Sequence, residues 1–311
     1  SASFLCNILP FPSFQLPILL TLHFLLKRNR LIPIAICGCL LAGQHAALAQ
    51  QHEIGAWGGM GHSFGDINNS RESLQFAEPA FGMFYRYNFN TRAAWYLGAA
   101  FGSTYGEDAI SDDIYQQTRN LSYRTGLWEV ATRFELNFFP LSRTKKDEWF
   151  SPFLFAGLSL YHFNPQALYD GNWVDLQPLG TEGQNVEEIS GIDPYYRYQV
   201  AIPLGGGVKF AVSKNITMGL EVNWHKLFTD YLDDVSAVYI DPAILALGDN
   251  GDLAVALADR SAEGIDIIPL GRAGQQRGDR YRNDSFVFAG VFLSYSIVNM
   301  KCPMPGGGKG F

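Results

Sequence analysis

The sequence predicts an all-β chain: an eight-stranded antiparallel transmembrane β-barrel of OmpA-like size, with long extracellular loops and short periplasmic turns. Three observations predict it. Eight strand-length segments occur, and the four clearest alternate in polarity with a period of two, as strands with one apolar face do. The connections between them alternate short and long. Charged residues make up only 17% of the chain, while aromatics reach 14% and glycines number 32; a soluble domain carries nearer a quarter charged.

Ahead of the strands lies a processing segment. Lys27-Arg28-Asn29-Arg30 reads as a basic n-region, Leu31 to Gly43 as an apolar h-region, and Ala47-Leu48-Ala49 as a small-residue cleavage site before Gln50. Residues 27–49 are therefore expected to be a signal peptide, too short in its apolar part to span a bilayer as a helix. Cys39 is a poor lipidation site because Cys37 stands two places before it. The first Met is Met60, and residues 1–26 read as a spurious upstream extension. Cys6, Cys37 and Cys39 precede the cleavage site, so Cys302 would be the one remaining thiol and no disulfide or cysteine metal cluster is expected. Residues 50–300 are the expected barrel and 301–311 a flexible tail.

The strands follow in order. Glu53 to Phe64 is Gly-rich on both faces. Phe81, Met83, Tyr85, Tyr87 and Phe89 form an apolar face against Arg86 and Asn88. Trp95 to Phe101 carries small residues, Gly98 and Ala100, on its second face. Trp128 to Phe138 alternates most cleanly: Trp128, Val130, Thr132, Phe134, Leu136 and Phe138 oppose Glu129, Ala131, Arg133, Glu135 and Asn137. Phe153 to Phe163 is apolar on both faces. In Tyr196 to Phe210, Tyr198, Val200, Ile202 and Leu204 oppose Arg197, Gln199 and Lys209. In Ile216 to Trp224, Met218, Leu220 and Val222 oppose Thr217, Glu221 and Asn223. Phe286 to Tyr295 closes the set, again apolar on both faces.

Asn90-Thr91, Pro140 to Glu148 and Ala211 to Asn215 are short connections; 66–78, 105–125, 165–194 and 230–284 are long. Such sorting by end is the outer-membrane arrangement. A spanning sheet must also close, because an unpaired backbone group in hydrocarbon costs several kcal/mol. The competing architecture is a secreted β-sandwich, which rarely keeps eight strands this long.

Six charged residues fall on the polar faces: Glu129, Arg133, Glu135, Arg197, Lys209 and Glu221. Both signs are present, and an eight-stranded lumen is filled by its own side chains. They are expected to form an ion-pair plug. A barrel enzyme acting on lipid would need a histidine with a hydroxyl or carboxylate at the rim; His62 (beside Ser63, near Asp66) and His162 are the candidates. Asp230, Asp233 and Asp234 lack the Asp-x-Asp-x-Asp-Gly form of a calcium loop and read as a solvated acidic loop. Gly205-Gly206-Gly207 lies in a strand, where it suits close packing, and Gly306 to Gly310 lacks the phosphate-loop pattern. No cofactor, metal, small-molecule substrate or catalytic residue is expected. The acidic balance, net −7 for the whole chain, excludes a nucleic-acid partner, since no Lys/Arg cluster is present to meet phosphates. Within 230–284, Pro242 to Arg260 predicts one or two small helices over the outer mouth, and 164–190 a second ordered lid.

Three loop stretches are distinctive: Tyr161 to Pro165 with Trp173-Val174-Asp175-Leu176-Gln177-Pro178-Leu179-Gly180-Thr181-Glu182-Gly183-Gln184; Phe228-Thr229-Asp230-Tyr231-Leu232-Asp233-Asp234-Val235-Ser236; and Gln276-Arg277-Gly278-Asp279. Together they resemble the outer-membrane barrels of Bacteroidota that include the PorG-like subunit of the type IX secretion system. The resemblance covers roughly residues 52–300. It implies a non-catalytic protein of the cell outer membrane, surrounded by outer-membrane lipid and associated with periplasmic secretion-ring proteins. It also marks Trp173, Asp175, Gln177, Gly180, Glu182, Asp230, Tyr231, Asp233, Asp234, Arg277 and Asp279 as the family's loop residues. A lipid-modifying enzyme or a small passive or adhesive barrel are the alternatives.

Overall fold

The computed structural model describes residues 51–67, 74–142, 146–187, 192–263 and 268–297. The signal segment and the tail expected from the sequence lie outside these residues. Nine strands occur among them: β1 (Gln51–Phe64), β2 (Glu78–Asn88), β3 (Ala93–Glu107), β4 (Ser122–Asn137), β5 (Phe150–Tyr169), β6 (Asn172–Asp175), β7 (Tyr198–Ala211), β8 (Ile216–Lys226) and β9 (Ser285–Ile297). Helices are short and confined to connections: α1 (Ile114–Arg119), α2 (Pro242–Leu245) and α3 (Gly251–Ala258).

Eight of the strands form one closed antiparallel ring. Each pairs with its sequence neighbour, β5 passes directly to β7, and β9 closes on β1 with Trp57 opposite Phe292. No edge is left in the ring, which satisfies the backbone groups of every wall strand. β6 is a small flap that folds back on the upper end of β5, pairing Leu168 with Trp173. The connections β2–β3, β4–β5 and β7–β8 gather at the lower end and are short. The long ones gather at the upper end, with α1, α2 and α3 among them.

Facing follows the two-residue period. Along β4 the odd-numbered residues from Tyr123 to Asn137 are buried and the residues between them mostly exposed. The outer wall is apolar: Met83 is 73% exposed, and Phe81, Leu158, Leu154, Val222 and Leu293 are each more than half exposed. Where the sequence left β5 and β9 ambiguous, the cause is plain. Phe153, Phe155, Tyr161 and Phe163 point in, as do Phe286, Phe288 and Phe292, so both faces of these strands are greasy. The lumen is thus plugged partly by aromatics. Glycines make room for them: a side chain on Gly55 would meet the Phe84 ring at 2.4 Å, and one on Gly205 would meet Phe155 at 2.6 Å.

Several strands are longer than their apolar pattern. β3 runs on to Glu107 and β5 to Tyr169. Twenty residues of β5 extend about 66 Å at roughly 3.3 Å each, whereas a tilted span needs only about 9–11 residues. The upper wall therefore rises past the apolar belt, where outward positions turn polar (Ser103, Asn164, Gln166).

Candidate functional site

Two buried polar systems result from this architecture, one in the lumen and one under the upper loops.

The lumen holds three ionic tiers. In the lowest, Arg86 on β2 reaches Glu135 on β4 (Nε to Oε2, 2.7 Å) and Glu53 on β1 (Nη1 to Oε2, 3.0 Å). Lys209 on β7 donates to the same Glu135 oxygen at 2.7 Å, and Asn88 and Ser294 donate to Glu53. In the middle tier Arg133 grips Glu221 through two nitrogens, at 3.1 and 3.4 Å. Its guanidinium lies 3.7 Å from the Tyr96 ring centroid and 4.1 Å from that of Phe155. In the uppermost, Glu129 faces His225 at 2.9 Å, with the imidazole stacked on Phe286. Four carboxylates thus face Arg86, Arg133, Lys209 and an imidazole. A charge stripped of water is tolerated only when so paired. The tiers and the rings between them fill the barrel.

The second system sits in the upper connections. Two loop segments, 176–187 and 227–263, fold down with their own small apolar core of Leu176, Leu179, Val186, Leu245, Ala254 and Leu257, and 268–284 joins them. Arg277 fastens them. Its Nη1 donates to Glu182 Oε1 at 3.0 Å and to the carbonyl of Asp234 at 2.6 Å, and its Nε to the carbonyl of Ala258. Glu182 also accepts the backbone N–H groups of Ser236 and Ala237. Asp234, in the left-handed region at φ 64°, accepts from Tyr195 Oη at 2.6 Å and from Thr181. Asp233 accepts the backbone N–H groups of Asp66 and Ile67, tying the β1–β2 connection to the lid. Arg119 of α1 pairs with Asp108, Nε to Oδ2 at 2.6 Å, and donates to the carbonyls of Asp66 and Arg277.

Residues 30–248 match a family model described as a domain of unknown function, DUF6089. The chain belongs to that family. No curated protein matches the sequence. Among solved structures the chain is similar to Ail, the attachment invasion locus protein of Yersinia pestis, at 10% identity, covering 80% of this chain and 100% of that one with a TM-score of 0.37. It is also similar to the N-terminal β-barrel domain of Pseudomonas aeruginosa OprF (9%, 80% and 98%, 0.32) and to Neisserial surface protein A (9%, 78% and 95%, 0.36).

In this DUF6089 chain, Glu129, Arg133, Glu135, Lys209 and Glu221 all point into the lumen. Arg197 does not join them. It stands one residue before the start of β7 in sequence, at the upper rim, where its Nη1 donates to Asn164 Oδ1 at 2.8 Å; the wall there has risen past the ionic tiers. The lumen residues outside the predicted set are Glu53, Arg86 and His225. Arg86 could have been found from the alternation of Phe81 to Phe89, whereas Glu53 and His225 sit where glycine or strand-end position blurs the period.

The three family loop stretches converge. Glu182, Asp230, Tyr231, Asp233, Asp234 and Arg277 lie in the lid, Tyr231 stacking on Tyr195 at 4.7 Å. Asp279 donates its backbone N–H to Asp66. Gln177 donates to the carbonyl of Tyr195, and Gly180 adopts φ +63° at a turn that leaves no room for a side chain beside Asn185. Asp175 accepts from Asn164 and Gln166 on the β5–β6 flap. Trp173, on the same flap, is exposed beneath Arg124.

The acidic stretch is not solvated, contrary to the sequence expectation: Asp230, Asp233 and Asp234 are 7%, 1% and 0% exposed. Loops distant in sequence cover them, which no local pattern encodes. Burial raises Asp230 to about 8, Asp233 to about 7 and Asp234 to about 6, the last held down by Arg277, Thr181 and Tyr195. Burial also lifts Asp66, and it lifts Asp284 far above the carboxylate range, with Asp233 and Asp230 adding repulsion.

The two histidines considered for catalysis stand apart. His62 is buried against Phe64 with Nδ1 unpartnered. His162 is stacked on Trp128 and edge-on to Tyr198 on the outer wall.

Proposed function

We propose that this chain is a non-catalytic barrel of the bacterial outer membrane that serves as a membrane component of the type IX secretion machinery, associating with periplasmic ring subunits. The observation that carries the membrane part is the outer wall. Its exposed surface is apolar around the ring and is bounded by aromatics, Trp128, His162 and Tyr198 above and Phe138, Phe139 and Trp149 below. Trp128 and Phe138 are ten residues apart, about 34 Å along a strand, or roughly 26 Å once tilted by about 40°. That matches the apolar band of such barrels, about 25 Å tall. Water would penalise so large an apolar surface.

The secretion assignment rests on the three loop stretches and their family resemblance. The filled lumen favours it over passive conduction, because ion tiers and aromatic rings leave the surface as the working part. The short turns at the lower end would then meet periplasmic partners and the lid would face outward. Affinity recovery of the tagged full chain from gently solubilised membranes should bring down ring subunits. Recovery of the barrel alone would count against the secretion role while leaving the barrel reading intact.

The competing reading is an enzyme modifying surface lipid through His62 or His162. Replacing each by Ala and finding an altered lipid profile would favour it; the proposal expects unchanged profiles.

A further inference from the structure

Above the apolar belt the outer wall sorts its charges by side. Around β3 they are acidic, with Glu78 accepting from Ser103 and Glu107 from Tyr105. Across β4, β5 and β7 they are cationic. Arg124 and Arg197 have no ion pair among the described residues, and neither has Lys226, exposed at the end of β8.

Arg124 and Arg197 flank a notch. Outward residues on β4 run Trp128, Gly126, Arg124 going up, and the β5 residues opposite them are His162, Asn164 and Gln166. A side chain on Gly126 would meet nothing within 4 Å, so the space between Trp128 and Arg124 is open. Arg197 bounds it on the β7 side through its 2.8 Å bond to Asn164 Oδ1, which engages one of five N–H donors with a neutral amide. Arg124 makes no side-chain hydrogen bond among the described residues; its guanidinium lies 5.8 Å from the Trp173 ring centroid, which steadies it. Asn164 and Gln166 both donate to Asp175 Oδ1, at 2.9 and 2.6 Å, which leaves Oδ2 to accept from elsewhere.

Height places the notch. Gly126 is two residues above Trp128, about 7 Å along the strand, or roughly 5 Å once tilted by about 40°. The headgroup layer is about 5–8 Å deep on each side of the hydrocarbon, so the notch opens into it.

Resting on the membrane reading above, with the long loops outward, we propose that this notch binds the phosphorylated sugar headgroup of an outer-leaflet glycolipid of the lipid A class. Arg124 and Arg197 hold a phosphate, because a guanidinium meets phosphate oxygens two at a time. Asp175 accepts from sugar hydroxyls. Trp128 and Tyr198, at the interface as aromatics are, meet the first carbons of the acyl chains. Asp175 is what selects a sugar: it repels a bare lipid phosphate, whereas a sugar phosphate brings hydroxyl protons for it to accept.

The test uses the full chain folded in micelles of neutral detergent, with native mass spectrometry counting bound lipid. Diphosphorylated lipid A is the probe, and dephosphorylated lipid A and phosphatidic acid are the comparisons. One lipid A per barrel should be retained, with each comparison lipid about tenfold weaker or more. Arg124→Gln and Arg197→Gln should each weaken lipid A about tenfold, whereas Arg92→Gln at the lower turn should not. Arg124→Gln binding like the unaltered chain overturns the site. Phosphatidic acid binding as tightly as lipid A overturns the sugar assignment. Arg124 bonds to no other side chain, so its variant should fold and decides alone should Arg197→Gln not. A heat-dependent shift in electrophoresis checks the fold of each. Its absence in the unaltered chain would sink the barrel reading together with this one; a normal shift with unselective binding sinks this inference alone.

Discussion

Arg277 and Glu182 meet at 3.0 Å, Nη1 to Oε1, both side chains buried, although they stand 95 positions apart in sequence. This contact joins two loop segments that share no strand pairing, and Arg277 adds bonds to the carbonyls of Asp234 and Ala258. Arg277→Met would strand Glu182 in the lid, at a cost of about 3–5 kcal/mol for a broken buried pair. Amide exchange should quicken across 176–187 and 227–284 while the barrel strands keep their protection. Glu182→Gln, which still accepts from Ser236 and Ala237, should be milder.

The lumen pair of Arg86 and Glu135 makes a parallel case inside the wall. Arg86→Met removes both the 2.7 Å bond to Glu135 and the 3.0 Å bond to Glu53. It should lower barrel stability by about 3–5 kcal/mol, read from the urea midpoint in micelles. Arg197→Met, whose guanidinium bonds the neutral Asn164 at the rim, should change it by about 0.5 kcal/mol or less.

The lid should respond to pH in a defined direction. Burial raises Asp234 to about 6, Asp233 to about 7 and Asp230 to about 8, all above the 3.8 of an unfolded Asp. The folded lid then holds protons more tightly than the open one. Its stability is full below about pH 4 and is lost progressively as pH rises through these values. Exchange in segment 227–263 should therefore accelerate from pH 5 to pH 8, and Asp230→Asn should flatten the slope.

Outer-wall substitutions separate lipid from water directly. Met83 on β2 is 73% exposed and Ile114 on α1 is 78% exposed, so accessibility alone ranks them together. In lipid vesicles Met83→Arg should cost about 2–4 kcal/mol if it stands near the bilayer midplane, whereas Ile114→Arg in the upper connections should cost about 0.5 kcal/mol or less. Equal small effects would mean that the wall around Met83 meets water.

Most of the barrel was legible because a period of two survives in any strand whose faces differ, and Trp128 to Phe138 displays it without a break. The same rule goes blind in β5 and β9, where Phe153 and Phe286 plug the lumen while Leu154 and Val287 face out. Strand ends were misjudged for a related reason. Beyond Phe101 and Phe163 the outward positions turn polar, so pattern stops before pairing does. Within the lumen, polar faces gave Glu135 and Lys209 but not Glu53, which shares Arg86 with Glu135 and sits in a run of glycines and alanine. The lid was the least legible part. Asp230, Asp233 and Asp234 look like a solvated loop in sequence, and only contacts from Ile67, Thr181 and Tyr195 bury them. Motif resemblance singled out these residues; local chemistry alone did not.

Everything above depends on the ring being shut, with β9 paired to β1 along Trp57 and Phe292, and on its apolar wall meeting lipid. Electrophoresis of the purified membrane fraction, with and without boiling, tests this most directly. A closed barrel should stay compact in cold detergent and migrate ahead of the boiled chain. Identical migration before and after heating, in a chain that stays soluble without detergent, would contradict it.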